Sequence, residues 1–131
     1  MTKGTKAEHK ELESLANRLF DAVQRADIEE LKQVYAPNVQ YWMNLTDHIE
    51  GIDTLLQLTL TFNAKVKNLQ YQIESREYFS GGLVQRCRLR GETATGMHLA
   101  VPLCLILHVE HGRIVRLYEY IDSTTILPAL A

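Results

Sequence analysis

One row of the last alternating segment, Val115, Leu117, Glu119 and Ile121, is apolar except for a single carboxylate. Residues two apart share a face of a strand, so Glu119 points where hydrocarbon points. A carboxylate in such a place is costly unless it is partnered or protonated, and burial raises its pKa. A carboxyl lifted towards neutrality suits general acid or base catalysis. The alternative is a glutamate neutralised by an arginine, with Arg86 and Arg88 as the available partners.

The candidate companions come from neighbouring alternating rows. Tyr41 shares a row with Val39 and Met43 and is read as facing inward, where its hydroxyl can orient a ligand oxygen; a core aromatic with its hydroxyl tied locally is the competing reading. His98 is a candidate second acid/base and shares a row with Cys104 if its strand is regular. Pro102 bears on that condition, because a proline inside a strand often marks a bulge, and one extra residue flips the facing of everything beyond it. His48 precedes the third helix and is assigned to the pocket mouth, whereas His108 and His111 sit near a turn and are read as solvated. Trp42, Met43, Leu117, Phe20 and Cys104 complete the expected ligand-binding set, Cys104 offering only a weak thiol donor. Arg86, Arg88 and Arg90 form one row, read as outward and pairing with Glu74 or Glu77; a clamp for a substrate carboxylate is the alternative. No His, Asp or Glu spacing resembles a metal site, and the glycines lack a phosphate-loop pattern. No metal and no cofactor are expected.

The elements that must position these groups follow from periodicity. Leu12, Leu15, Ala16, Leu19, Phe20 and Val23 give an amphipathic helix after a loose tail over 1–7. Asp27 caps a second helix carrying Ile28, Leu31, Val34 and Tyr35, which Pro37-Asn38 ends. Strands are expected at Val39–Asn44, Leu69–Phe79, Leu83–Arg90 and in two long segments between Met97 and Asp122. A polar loop spans Thr46–Gly51, a third helix Ile52–Val66, and turns fall at Ser80-Gly81-Gly82, Gly91–Gly96 and Glu110–Arg113. Residues 123–131 read as a short tail. Helices first and a strand meander after give an α+β layout in one domain over 8–131. Both rows of the 97–109 strand are substantially apolar, so both sheet faces are expected to be covered. A second copy of the chain is the economical cover for the outer one.

Bulk properties bound the rest. The chain has 131 residues, 46% of them hydrophobic and 23% charged, with a formal net charge of −2. Nothing in that balance suggests a nucleic acid or a membrane as partner. Cys87 and Cys104 sit in apolar contexts, which suits free thiols in a reducing compartment. The polar N-terminus lacks an apolar leader, and a cytoplasmic protein is expected.

The layout and residues together resemble the nuclear transport factor 2-like superfamily, particularly its SnoaL-like branch. The resemblance rests on Ala26-Asp27, on Tyr35-Ala36-Pro37-Asn38-Val39 and on Gly51 opening helix three. It also rests on His111-Gly112-Arg113-Ile114 followed by Glu119-Tyr120-Ile121-Asp122. It implies a cone-shaped, curved antiparallel or mixed sheet wrapped around a long helix, with three helices in the N-terminal half. It also implies an apolar pocket open at one end and, often, dimerisation through the outer sheet face. Members include ketosteroid isomerases, limonene-1,2-epoxide hydrolases, polyketide cyclases, dehydratases and binding modules. Matched to the isomerases, the catalytic places hold Leu19, Met43 and Cys104, which cannot perform that chemistry. Matched to the epoxide hydrolases, Tyr41 and Glu119 agree, Met43 replaces an asparagine, and Arg86 and Arg88 fall where an arginine–aspartate pair belongs. The reading is therefore a cofactor-independent acid/base enzyme of cyclase, isomerase or dehydratase type acting on an apolar small molecule. A non-catalytic ligand-binding or dimerisation module is the alternative, and epoxide hydrolysis comes third.

Overall fold

The computed structural model describes residues 4–130, and its first helix, α1 (Lys6–Arg25), starts behind a Thr5 cap whose hydroxyl accepts from the Glu8 N–H at 3.0 Å. That cap draws Lys6 and Ala7, expected in the tail, into the helix; residues 1–3 of the expected tail lie outside the described residues. α1 ends at Ala26, in the left-handed region at φ 51°. Asp27 then caps α2 (Ile28–Val34) by accepting from the Glu30 N–H at 3.2 Å.

The first strand, β1 (Tyr35–Met43), begins earlier than the expected Val39 and takes Tyr35 from the second helix. Tertiary pairing overrides local propensity here, because β6 (Arg113–Ile121) lies parallel to β1 and pairs Ile114 with Tyr35. Pro37 falls inside the register shift between Tyr35 and Gln40, where its missing N–H interrupts no ladder. A two-residue β2 (Ile49–Glu50) lies within the expected polar loop and adds an antiparallel edge to β1. α3 (Ile52–Lys65) leads to the meander of β3 (Val66–Phe79), β4 (Gly82–Thr93) and β5 (His98–Glu110), which β6 completes. β4 runs through Gly91, expected in a turn, because a Cβ there would come within 2.3 Å of Val66 Cγ1 and glycine lets β3 pack close.

The strand order is β2-β1-β6-β5-β4-β3, antiparallel except at β1–β6. The architecture is the expected α+β one: helices on one side of a six-stranded mixed sheet that does not close. β5 is regular through Pro102. Its Leu99, Val101, Leu103, Leu105 and Leu107 are buried against the helices, and the His98-to-His108 row faces outward. The segment after Asp122 is not a tail but a fourth helix, α4 (Ser123–Leu130). Asp122 caps it, accepting from the Thr125 N–H at 3.2 Å, and Ile126 and Ala129 are buried, with α4 packing on β5. No helix among the described residues is long and apolar enough to cross a membrane.

Gly82 offers a check on this packing. A Cβ there would lie 2.2 Å from the Leu107 carbonyl oxygen and 2.6 Å from the Phe79 ring. The carbonyl belongs to the β4–β5 ladder and cannot withdraw. Gly82→Ala is expected to lower stability by about 1–3 kcal/mol, measured by chemical denaturation.

Candidate functional site

Inside the curve of the sheet lies a cavity of about 400 Å³, within the range of small-molecule sites. α1 contributes Leu19 and Phe20, α3 contributes Leu55 and Phe62, α4 contributes Ile126 and Leu127, and the strands supply the opposite wall. That wall carries Leu105, Leu117 and Glu119 from the two central strands, with Tyr41 and Met43 from β1.

Glu119 is held on both flanks. β5 pairs it with Leu105 and β1 pairs it with Met43. The Asn44 N–H donates to the Glu119 carbonyl at 3.1 Å, and the Asn44 side-chain amide bonds both backbone groups of Ile121, at 2.9 and 3.1 Å. The carboxyl therefore projects from fixed backbone. The Tyr41 hydroxyl donates to its Oε1 at 2.7 Å. Burial pushes the Glu119 pKa up, and the Tyr41 hydrogen bond opposes that only in part. The Tyr41 phenol is itself raised well above its ordinary value, by burial first and by Glu119 next, so it remains a donor. Tyr35 and Tyr71 are raised by the same two causes in the same order. Four acidic groups thus line one largely apolar cavity, with Tyr41 engaging Oε1 of Glu119.

Of the residues read from the sequence, Glu119, Tyr41, Met43, Leu117 and Phe20 line this cavity. The others do not, and their expected placement is corrected. Trp42 sits on the outer face, its indole N–H donating to Asp47 Oδ1 at 2.9 Å and its ring 5.1 Å from Tyr120. Cys104 lies on that same face, between Arg86 and Tyr120 of the flanking strands. His98 is exposed at the start of β5, because the strand carries no bulge at Pro102 and the His98–Cys104 row never turns inward. His48 is exposed in the loop before β2 and lines no part of the cavity.

The arginine alternatives resolve together. Arg86 and Arg90 are exposed on the outer face, Arg90 donates to Gln72 at 2.6 Å, and Arg88 lies 3.6 Å from Glu74. The partner of Glu119 is Tyr41, not an arginine. A shallow depression of about 420 Å³ near Arg86, Cys104 and Tyr120 is comparable in size but open to solvent, and the carboxyls along it are Glu74 and Asp122.

Tyr35 and Tyr71 were not among the expected site residues. Tyr71 alternates with Leu69 in the strand expected at 69–79, which was a usable signal. Tyr35 sat on the apolar face of an expected helix, and only the parallel β1–β6 pairing turns it into a strand residue. Among the described residues, no three His, Cys, Asp or Glu side chains converge as metal ligands.

A family model described as the SnoaL-like domain matches residues 16–117. No curated protein sequence matches the chain. Among solved structures, the chain is similar to IdmH of Streptomyces antibioticus, a candidate polyketide cyclase. The TM-score is 0.80 at 19% identity, over 90% of this chain and 96% of that one. It is similar to an epoxide hydrolase of M. tuberculosis resembling limonene-epoxide hydrolase, with TM-score 0.75, 15% identity and coverage of 92% and 90%. A protein of ketosteroid isomerase-like fold from Catenulispora acidiphila, solved with trimethylamine, gives TM-score 0.76, 14% identity and coverage of 88% and 90%. At these identities the likeness is one of fold.

The raised Glu119 pKa has a consequence for stability. The folded chain holds this proton more tightly than the unfolded chain, so the associated stability is full below the unfolded pKa and is lost as pH rises through the folded one. Glu119→Gln keeps the acceptor for Tyr41 and removes the titration. As pH rises from the ordinary carboxylate range, the melting temperature of wild type is expected to fall relative to that of Glu119→Gln. Parallel pH profiles would contradict the buried, proton-retaining carboxyl.

Proposed function

The chain belongs to the SnoaL-like domain family, and from that premise we propose that it is a cofactor-independent acid/base enzyme acting on an apolar small molecule. The observation carrying this reading is the Glu119 carboxyl, half-buried in the wall of a largely apolar cavity and hydrogen-bonded by Tyr41. Protonated, Glu119 donates to a substrate oxygen or carbon; once ionised, it accepts a proton from an activated carbon. Tyr41 steadies the carboxylate at Oε1 while Oε2 exchanges the proton. That cycle serves cyclisation, isomerisation or dehydration with no group beyond the chain's own. Epoxide hydrolysis is less well supported, since Met43 stands where the related hydrolases hold water with an asparagine, and Arg86 and Arg88 face outward.

A second reading is a ligand-binding module without chemistry. What favours it is that, among the described residues lining the cavity, Glu119 has only tyrosines as ionisable companions. Isotope exchange separates the two. Wild-type protein in D2O is expected to exchange the acidic C–H of apolar cyclic ketones, followed by NMR, and Glu119→Gln to be slower by about 10²–10⁴-fold. Ketones that bind without exchange would support the module.

We also propose a homodimer through the outer sheet face. Phe79, His108, Tyr118, Trp42 and Tyr120 form a continuous chain of ring contacts there, with Tyr120 49% exposed. Exposed apolar continuity of this kind supports association between copies. Sedimentation equilibrium is expected to give twice the chain mass. Ile106→Lys, placed between Val84 and Tyr118 at the centre of that face, is expected to halve it.

A further inference from the structure

Every ionisable side chain lining the cavity is an acid: Glu119, Tyr35, Tyr41 and Tyr71. Among the described residues, no lysine, arginine or histidine lines it. The amide and hydroxyl donors on α3 are already engaged. Asn63 Nδ2 donates to the Val23 and Thr59 carbonyls, both at 2.9 Å, and the Thr59 hydroxyl donates to the Leu55 carbonyl at 3.1 Å. Arg76 lies over the Phe20 ring, 5.9 Å from its centroid, but is not a lining residue. Its guanidinium donates to Gln85 at 2.8 Å and to Asn17 at 3.0 Å, while its Nη2 is buried without a hydrogen-bond partner behind the Phe20 ring, outside the lining.

An anion entering this space gives up its hydration and meets no cation. An ammonium meets a carboxyl able to ionise, in a lining that also holds the aromatic rings of Phe62 and Tyr71. A purely hydrocarbon cavity rejects both signs of charge by the same desolvation cost. An asymmetry between the signs is therefore the signature of these particular side chains.

We infer that the cavity selects by sign of charge, taking apolar ligands that are uncharged or carry an ammonium group and excluding those that carry a carboxylate or phosphate. The inference rests on the reading of this cavity as the ligand site. Binding of an ammonium is coupled to ionisation of Glu119. The carboxyl O–H bond breaks, its proton leaves to solvent, and the ligand keeps its positive charge against Oε2. The titratable groups facing Glu119 are Tyr35 and Tyr41 from β1, Tyr71 from β3 and Cys87 from β4. All four are held neutral above their ordinary range, Cys87 at about 11, so the released proton comes from Glu119.

Three probes of one shape test this by titration calorimetry: 2-acetylnaphthalene, 2-naphthylmethylammonium and 2-naphthoate. At neutral pH the ketone and the ammonium are expected to bind, with 2-naphthoate weaker than the ammonium by about tenfold or more. In buffers of different ionisation enthalpy, any proton that ammonium binding releases from wild type should be absent with Glu119→Gln. That variant is expected to lose about tenfold or more in ammonium affinity, a larger loss than for the ketone, and its cooperative melting transition reports that it is folded. Equal affinity for the two ions overturns the sign selection and leaves the acid/base reading of Glu119 standing. Failure of all three probes to bind overturns both.

Discussion

The hydrogen bond from Tyr41 to Glu119 spans 78 positions of sequence and needs both ends of the chain in place. It forms because β1 and β6 run parallel and adjacent, and it matters because it gives a desolvated carboxyl its one strong protein partner. A carboxyl among leucines is tolerated only if something offsets its lost hydration. The fold supplies a phenol for that purpose, and Asn44 to fix the backbone that carries the acid. The cavity, the neighbouring tyrosines and the helices that roof it are arranged around this pair.

Periodicity alone exposed most of the framework. The amphipathic run from Leu12 to Val23, the third helix and the alternating strands of the meander stand where their patterns put them, since each is set by local burial of one face. The elements that were misread are those set by distant partners. Tyr35 looks helical until β6 arrives beside it. Residues 123–130 look like a tail because the surface that buries Ile126 and Ala129 is built by other parts of the chain.

The site was legible to the same degree. Glu119 and Tyr41 could be found because each stands out in, or shares, a strongly apolar row. His98, Trp42 and Cys104, expected to serve the pocket, stand on the outer face; both rows of β5 carry apolar residues, so hydrophobicity could not say which row was inner. Pro102 proved compatible with a regular strand for a positional reason. Its carbonyl accepts from the Asp122 N–H, on the flank where β6 has already ended at Ile121. Its missing N–H points to that same flank, where the opposing Asp122 carbonyl accepts instead from the Ile126 N–H of α4.

Joining the first long strand to the last also governs how the molecule is made. Synthesis delivers Tyr41 well before Glu119, and in the interval β1 has only the two residues of β2 beside it. Its other flank is a row of unpaired amides and carbonyls next to apolar side chains, a template for any extended chain nearby. The meander from β3 to β5 can assemble from near neighbours meanwhile, so the vulnerable interval closes only when the final strand emerges. A ribosome that stalls before β6 leaves the cavity without its Glu119 wall and β1 with an open, adhesive seam.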